Sequence, residues 1–162
     1  MGDQLKNIVG EEDYQNFVSG CESIGLPLET ALRQLYVESR FHKDVVYCKK
    51  DSSKGARGLA QFLPGSWKPW GEGECTKTTT EGGCCDPKLA LKAYVKFMGH
   101  LIKRFPGRLD LAVGGYNSGP NLKIYEKALE DETPWAEINT KHQGVGRIPS
   151  ETINYVSKIL QC

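Results

Sequence analysis

Hydrophobic positions recur at helical spacing along most of the chain, and no confident strand pair or internal repeat interrupts them. Asp3 to Ser19 reads as a first helix ending near Gly20. Pro27 then sits at a good first helical position for a helix reaching about Arg40, because its missing N–H would find no partner there anyway. Leu28, Leu32 and Leu35 form the apolar stripe of that helix. Asp86-Pro87 joins an N-cap to a proline at the next position. Behind it, Leu91, Tyr94, Val95, Met98, Leu101, Ile102 and Phe105 hold one face until Pro106-Gly107, as a core stripe does. Arg108 to Tyr116 and Asn121 to Leu129 read as two more helices around an Asn117-Ser118-Gly119-Pro120 turn. Pro149 opens a last helix with Ile153, Val156 and Leu160 on one face. These elements predict a mainly α fold in which residues 1–162 form one domain around a single core.

Two polar stretches break the helical pattern. Val45 to Gly58, with its Lys, Ser, Asp and Gly, should be a loop. Lys68 to Cys85 is rich in Gly, Thr and Cys and poor in aliphatic residues. A structureless stretch of that length in a compact domain is expected to be functional or stapled by disulfide. The six cysteines are Cys21, Cys48, Cys75, Cys84, Cys85 and Cys162. None makes a CxxC pair, and His42, His100 and His142 stand at no zinc-like spacing from them, so no metal is expected. An even number at irregular spacing fits disulfides formed in an oxidising compartment. The spacing does not choose the pairing, but neighbours Cys84 and Cys85 should bond elsewhere, since a ring between them is strained.

Composition narrows the function classes. The 162 residues allow one core without help from metals, and 39% hydrophobic with 25% charged residues is ordinary for a globular chain. Lys+Arg of 21 against Asp+Glu of 20 leaves a formal charge of +1, which argues against a nucleic-acid binder relying on a broad basic field. No apolar run approaches the roughly 18 residues of a membrane span. Met1 to Gly10 lacks the basic-then-apolar plan of a signal peptide.

Glu38 is the candidate for chemistry. It follows Leu35 by three residues and Ala31 by seven, so it projects from the edge of the apolar stripe. Burial there would raise its pKa, because the charged form loses hydration, and a general acid needs that shift to stay protonated near neutral pH. A Glu at a helix end reaching water, or pairing with Arg33 or Arg40, is the plainer reading. The neighbouring blocks decide between them. Val37-Glu38-Ser39-Arg40-Phe41 is followed by Gly55-Ala56-Arg57-Gly58-Leu59-Ala60-Gln61, then by Gly115-Tyr116-Asn117-Ser118-Gly119-Pro120. Ile148-Pro149-Ser150-Glu151-Thr152-Ile153-Asn154-Tyr155-Val156 comes last. In this order the four blocks resemble the soluble-type lytic transglycosylases, from about Leu26 to Leu160, leaving residues 1–25 outside the recognised motifs.

The resemblance implies a lysozyme-like helical fold, with Gly-rich loops around a cleft for glycan strands of alternating N-acetylglucosamine and N-acetylmuramic acid. It implies cleavage of the β-1,4 bond without water, leaving 1,6-anhydro-muramoyl ends, with Glu38 as the only catalytic residue and no cofactor. Ser52 matches a serine that holds the acetamido group, and Gln61 a glutamine whose amide meets sugar hydroxyls. Tyr116 and Asn117 match a cleft-lining pair. Glu151 matches a substrate-contacting glutamate, and Tyr155 a tyrosine that orients the acid. Ser39 reads as structural. The implied setting is the periplasm or cell wall, as a monomer acting in wall turnover, in a secretion or conjugation machine, or in a phage particle.

Three departures bear on subsite shape. Ala60 replaces the family's methionine, Gly115 replaces an alanine, and the stretch from Glu38 to Gly55 is longer than usual and carries Cys48. Lys68 to Cys85 carries no motif of the family. The nearest rival is a goose-type lysozyme, which hydrolyses the same bond with an aspartate-held water; Asp44 and Asp51 stand in the corresponding interval. A silent wall-binding module is the rival of another class, against which the intact Glu38, Ser52, Gln61 and Tyr116 argue.

Overall fold

The computed structural model describes residues 1–50, 52–76 and 81–161. Among the described residues, ten α-helices and one 3-10 turn succeed one another, and the sole β-type pairing is a bridge between Arg57 and Phe62. The mainly α, lysozyme-like expectation holds. Contacts gather the chain into two compact units, Met1–Phe97 and the part from Met98 onward.

The first unit begins with α1 (Gly2–Val9) and α2 (Glu11–Ser23), where one helix over 3–19 was expected. The break is at Gly10, whose φ of 88° suits a residue without Cβ, and Glu11, Glu12 and Asp13 place negative charge at the positive end of α2. Gly20, the expected terminator, lies inside α2. A Cβ there would stand 3.1 Å from Val95, so this glycine permits close packing of two helices. Cys21 is buried and free, and burial pushes its thiol up to about 12. Next come α3 (Leu28–Ser39) and α4 (Lys43–Val46). Pro27 caps α3 from outside, its carbonyl accepting the first helical bond from Ala31. Val45 and Val46, expected in a loop, belong to α4 because Val46 is drawn fully into the core. Two further helices are α5 (Pro64–Trp67) and α6 (Pro87–Arg104), the latter running past Phe97 into the second unit. Asp86 caps α6 as the sequence predicts, its Oδ1 accepting from the Lys88 N–H at 3.0 Å.

The second unit holds α7 (Leu109–Ser118), α8 (Lys123–Glu130), the 3-10 turn Trp135–Glu137, α9 (Ile138–Lys141) and α10 (Ser150–Leu160). The turn and α9 lie in a stretch without a clear apolar period, and Trp135 and Ile138 anchor them in the core. Asn139 closes the loop that follows: its Nδ2 donates to the Ile148 carbonyl at 2.9 Å and its Oδ1 accepts from the Ile148 N–H at 2.7 Å. Arg108 ties the other end together. It makes two hydrogen bonds to the Asp110 carboxylate, at 3.0 and 2.9 Å, and donates to the carbonyls of Ala128 and Thr133 at 3.0 and 2.7 Å. Asp131 accepts hydrogen bonds from Thr133 and pairs with Lys141 and His142, which holds its carboxyl far below the usual range, the Thr133 bond first among the causes.

Candidate active site

Glu38 lies in the last turn of α3, half-buried. The helix stops there because Arg40 and Phe41 both take left-handed backbone conformations, at φ 55° and 54°. Ser39 secures that exit. Its hydroxyl donates to the Leu35 carbonyl at 3.1 Å and accepts from the Phe41 N–H at 3.2 Å, so the buried serine is structural, as expected. Arg40 lays its guanidinium over the Tyr36 ring, 5.1 Å from the centroid.

One turn before Glu38 on α3, Gln34 is fully buried and accepts a 2.7 Å hydrogen bond from the hydroxyl of Tyr94 on α6. Burial holds the Tyr94 phenol well above its ordinary range, and the charges of Cys21 and Glu38 push the same way. The periodicity places Tyr94 in the core correctly, but its hydrogen bond depends on which helix faces α6. The signal present in the sequence is Gln34 itself, a polar residue at a core position of α3.

The glycine-rich block forms a tight turn between the bridged residues Arg57 and Phe62. Gln61 sits in this turn at φ 53°, half-buried, with its Nε2 donating to the Gly58 carbonyl at 2.9 Å. That bond fixes the amide orientation and leaves the Oε1 pointing elsewhere. Gly58 has φ 79°, and a Cβ there would lie 2.1 Å from the Cys84 carbonyl oxygen. Ala60 is fully buried. Ser52 is exposed at the start of the loop, its Oγ accepting from the Ala56 N–H at 2.9 Å, which is the turn-forming role any loop serine could serve. Asp44 is exposed within α4, and Asp51 lies outside the described residues.

The cysteine-rich segment is stapled, by Cys75–Cys84 and Cys48–Cys85. The neighbouring cysteines bond elsewhere, as strain requires, and four of the six thiols are thereby consumed.

The remaining site residues belong to the second unit. α7 continues through Ser118, so Asn117 is helical and not in a turn as expected. Ser118 extends the helix by donating to the Gly114 carbonyl at 3.0 Å, and Gly119 ends it at φ 86°. Its hydroxyl also meets that of Tyr125 at 2.6 Å; burial pushes the Tyr125 phenol up to about 12, with this hydrogen bond opposing. Asn117 Oδ1 accepts from the buried Thr152 hydroxyl of α10 at 2.7 Å. Thr152 stands inside the fourth sequence block but carries no expected role; its bond across 35 residues is invisible locally. Tyr116 is half-buried beside Asn117, Glu151 is exposed in the first turn of α10, and Tyr155 is buried one turn further on. An alanine at Gly115 would just touch Leu101 and Pro120 at 3.4 Å, so this departure alters little.

No helix among the described residues is long and apolar enough to cross a membrane. The family model of the transglycosylase SLT domain matches residues 22–138, well over half of the chain. Glu38, Ser52, Gln61, Tyr116 and Asn117 lie within the match, whereas Glu151 and Tyr155 lie beyond it. No curated protein gives a significant match.

Proposed function

The chain belongs to the transglycosylase SLT family, whose activity is the lytic cleavage of peptidoglycan outside the cytoplasm, and on that premise we propose that Glu38 is its single acid and base. The observation that carries this reading is the place of Glu38, a half-buried carboxyl in the last turn of α3 within the family match. Residues 1–162 act as one catalytic domain and as a monomer.

Glu38 donates its proton to the glycosidic oxygen as the C1–O bond breaks, while the acetamido oxygen of the same sugar closes on C1. Glycosidases usually employ two carboxylates, roughly 5–5.5 Å apart when they retain configuration, but substrate assistance replaces the second. The Glu38 carboxylate then takes the proton of the muramoyl 6-hydroxyl, whose oxygen displaces the acetamido group at C1. The acid is regenerated, no water is consumed, and a 1,6-anhydro end is left. By the family resemblance, Ser52 and Gln61 hold the acetamido group and sugar hydroxyls, and Tyr116, Asn117, Glu151 and Tyr155 belong to the same substrate-binding set.

Mass spectrometry of digested sacculi tests the reaction: anhydro-muramoyl ends are expected, and hydrated reducing ends would sink it in favour of an aspartate-assisted hydrolase. The role of Asn117 has its own test. Thr152→Val keeps the shape but removes the donor that turns the Asn117 amide. KM for soluble, un-cross-linked glycan strands should rise about fivefold, with kcat within about twofold, as the loss of one orienting hydrogen bond implies. An unchanged KM would remove Asn117 from the cleft.

A further inference from the structure

The family pattern leaves the cysteine-rich segment without a role, although the chain commits two disulfides to it. The segment touches the turn that carries Gln61 at two points. Arg57 Nη1 donates to the Cys75 carbonyl at 2.6 Å, and Gly58 is pressed against the Cys84 carbonyl so closely that no Cβ would fit. Cys75 and Cys84 are bonded to one another. The two residues that lead into the turn are thus held by the backbones of one cross-linked pair.

Gln61 depends on this support. Its left-handed backbone is one that a residue with a side chain keeps only when its surroundings impose it. Both its own N–H and its side-chain amide are bonded to the Gly58 carbonyl, at 3.2 and 2.9 Å, so a shift of Gly58 displaces Gln61 with it. The segment is anchored in turn. Cys85 is bonded to Cys48, just beyond α4, and the buried Trp67 donates from Nε1 to the Gly73 carbonyl at 3.0 Å. With few aliphatic side chains, the segment has little apolar surface of its own to bury, and covalent links take the place of a core contact.

We infer that Arg57 and the Cys75–Cys84 pair are positioning residues for Gln61, a clamp that sets how tightly the glycan is held. The inference rests on the reading of Gln61 as a substrate contact. A purely structural disulfide would lower thermal stability without moving KM.

The experiment measures kcat, KM and Tm on soluble, un-cross-linked glycan strands for Cys75→Ser/Cys84→Ser, Arg57→Ala and Gln61→Ala, and for Gln61→Ala combined with each of the other two. The cysteine pair and Arg57→Ala should each raise KM about five- to tenfold, with kcat within about twofold. Gln61→Ala should raise KM similarly in the parent, yet by less than about twofold once either clamp element is gone, because coupled groups are not additive. Full multiplication of the effects, or a lowered Tm with KM unmoved, would overturn the clamp. A parental KM for Gln61→Ala alone would overturn the reading of Gln61 instead, and with it the premise of the clamp. If the cysteine variant fails to fold, Arg57→Ala decides with both disulfides intact.

Discussion

Glu38→Gln should reduce glycan cleavage by about three orders of magnitude while leaving the fold intact. The amide matches the carboxyl in shape but can neither release a proton to the leaving oxygen nor accept one from the 6-hydroxyl. Proton transfer by a positioned side chain accounts for roughly 10²–10⁴ in rate, and one residue serving both steps belongs in the upper part of that range. Turbidity of purified sacculi and release of anhydro-muropeptides would both record the loss, with Tm as the control. Parental clearing by the variant would show that Glu38 is not the acid. Absence of clearing by the parent enzyme would instead favour a binding module. Sedimentation of Glu38→Gln with sacculi completes the comparison, because the amide should still permit binding.

Arg108→Ala is expected to give the largest loss of stability. The guanidinium and the Asp110 carboxylate are each less than a fifth exposed. Removing the arginine strands a partly buried carboxylate and takes donors from the Ala128 and Thr133 carbonyls at once. Breaking such a pair from one side costs about 3–5 kcal/mol. For a chain of this size that lowers Tm by roughly 10 °C. Arg108→Lys should recover only part of it, since a single ammonium does not reproduce a fork that meets a carboxylate and two carbonyls together. Thermal melting of both variants checks this, and a Tm within about 2 °C of the parent for Arg108→Ala would refute it.

The longer helices were legible because their signals are local. The apolar stripe of α6, its Asp86 cap and the prolines that precede α3 and α10 all act within a few residues of one another. Glycine was less readable. Gly10 and Gly20 look alike in sequence, yet one breaks a helix through its backbone angle and the other sits inside a helix to admit Val95. The end of α7 was missed by two residues because a serine hydroxyl bonded back to Gly114 extends it.

Four sequence blocks in register were enough to bring forward Glu38 and the family, since such motifs keep residue types and order even where spacing varies. They did not disclose what holds those residues in place. Thr152 orients Asn117 across 35 residues, Tyr94 reaches Gln34 across 60, and Arg57 meets Cys75 across 18. The choice of partner for each cysteine had the same character, apart from the local veto on joining Cys84 to Cys85. Composition and periodicity specify which face of a helix seeks burial. Which side chains then meet depends on how separate segments pack, and only the folded chain brings those atoms within hydrogen-bond or disulfide distance.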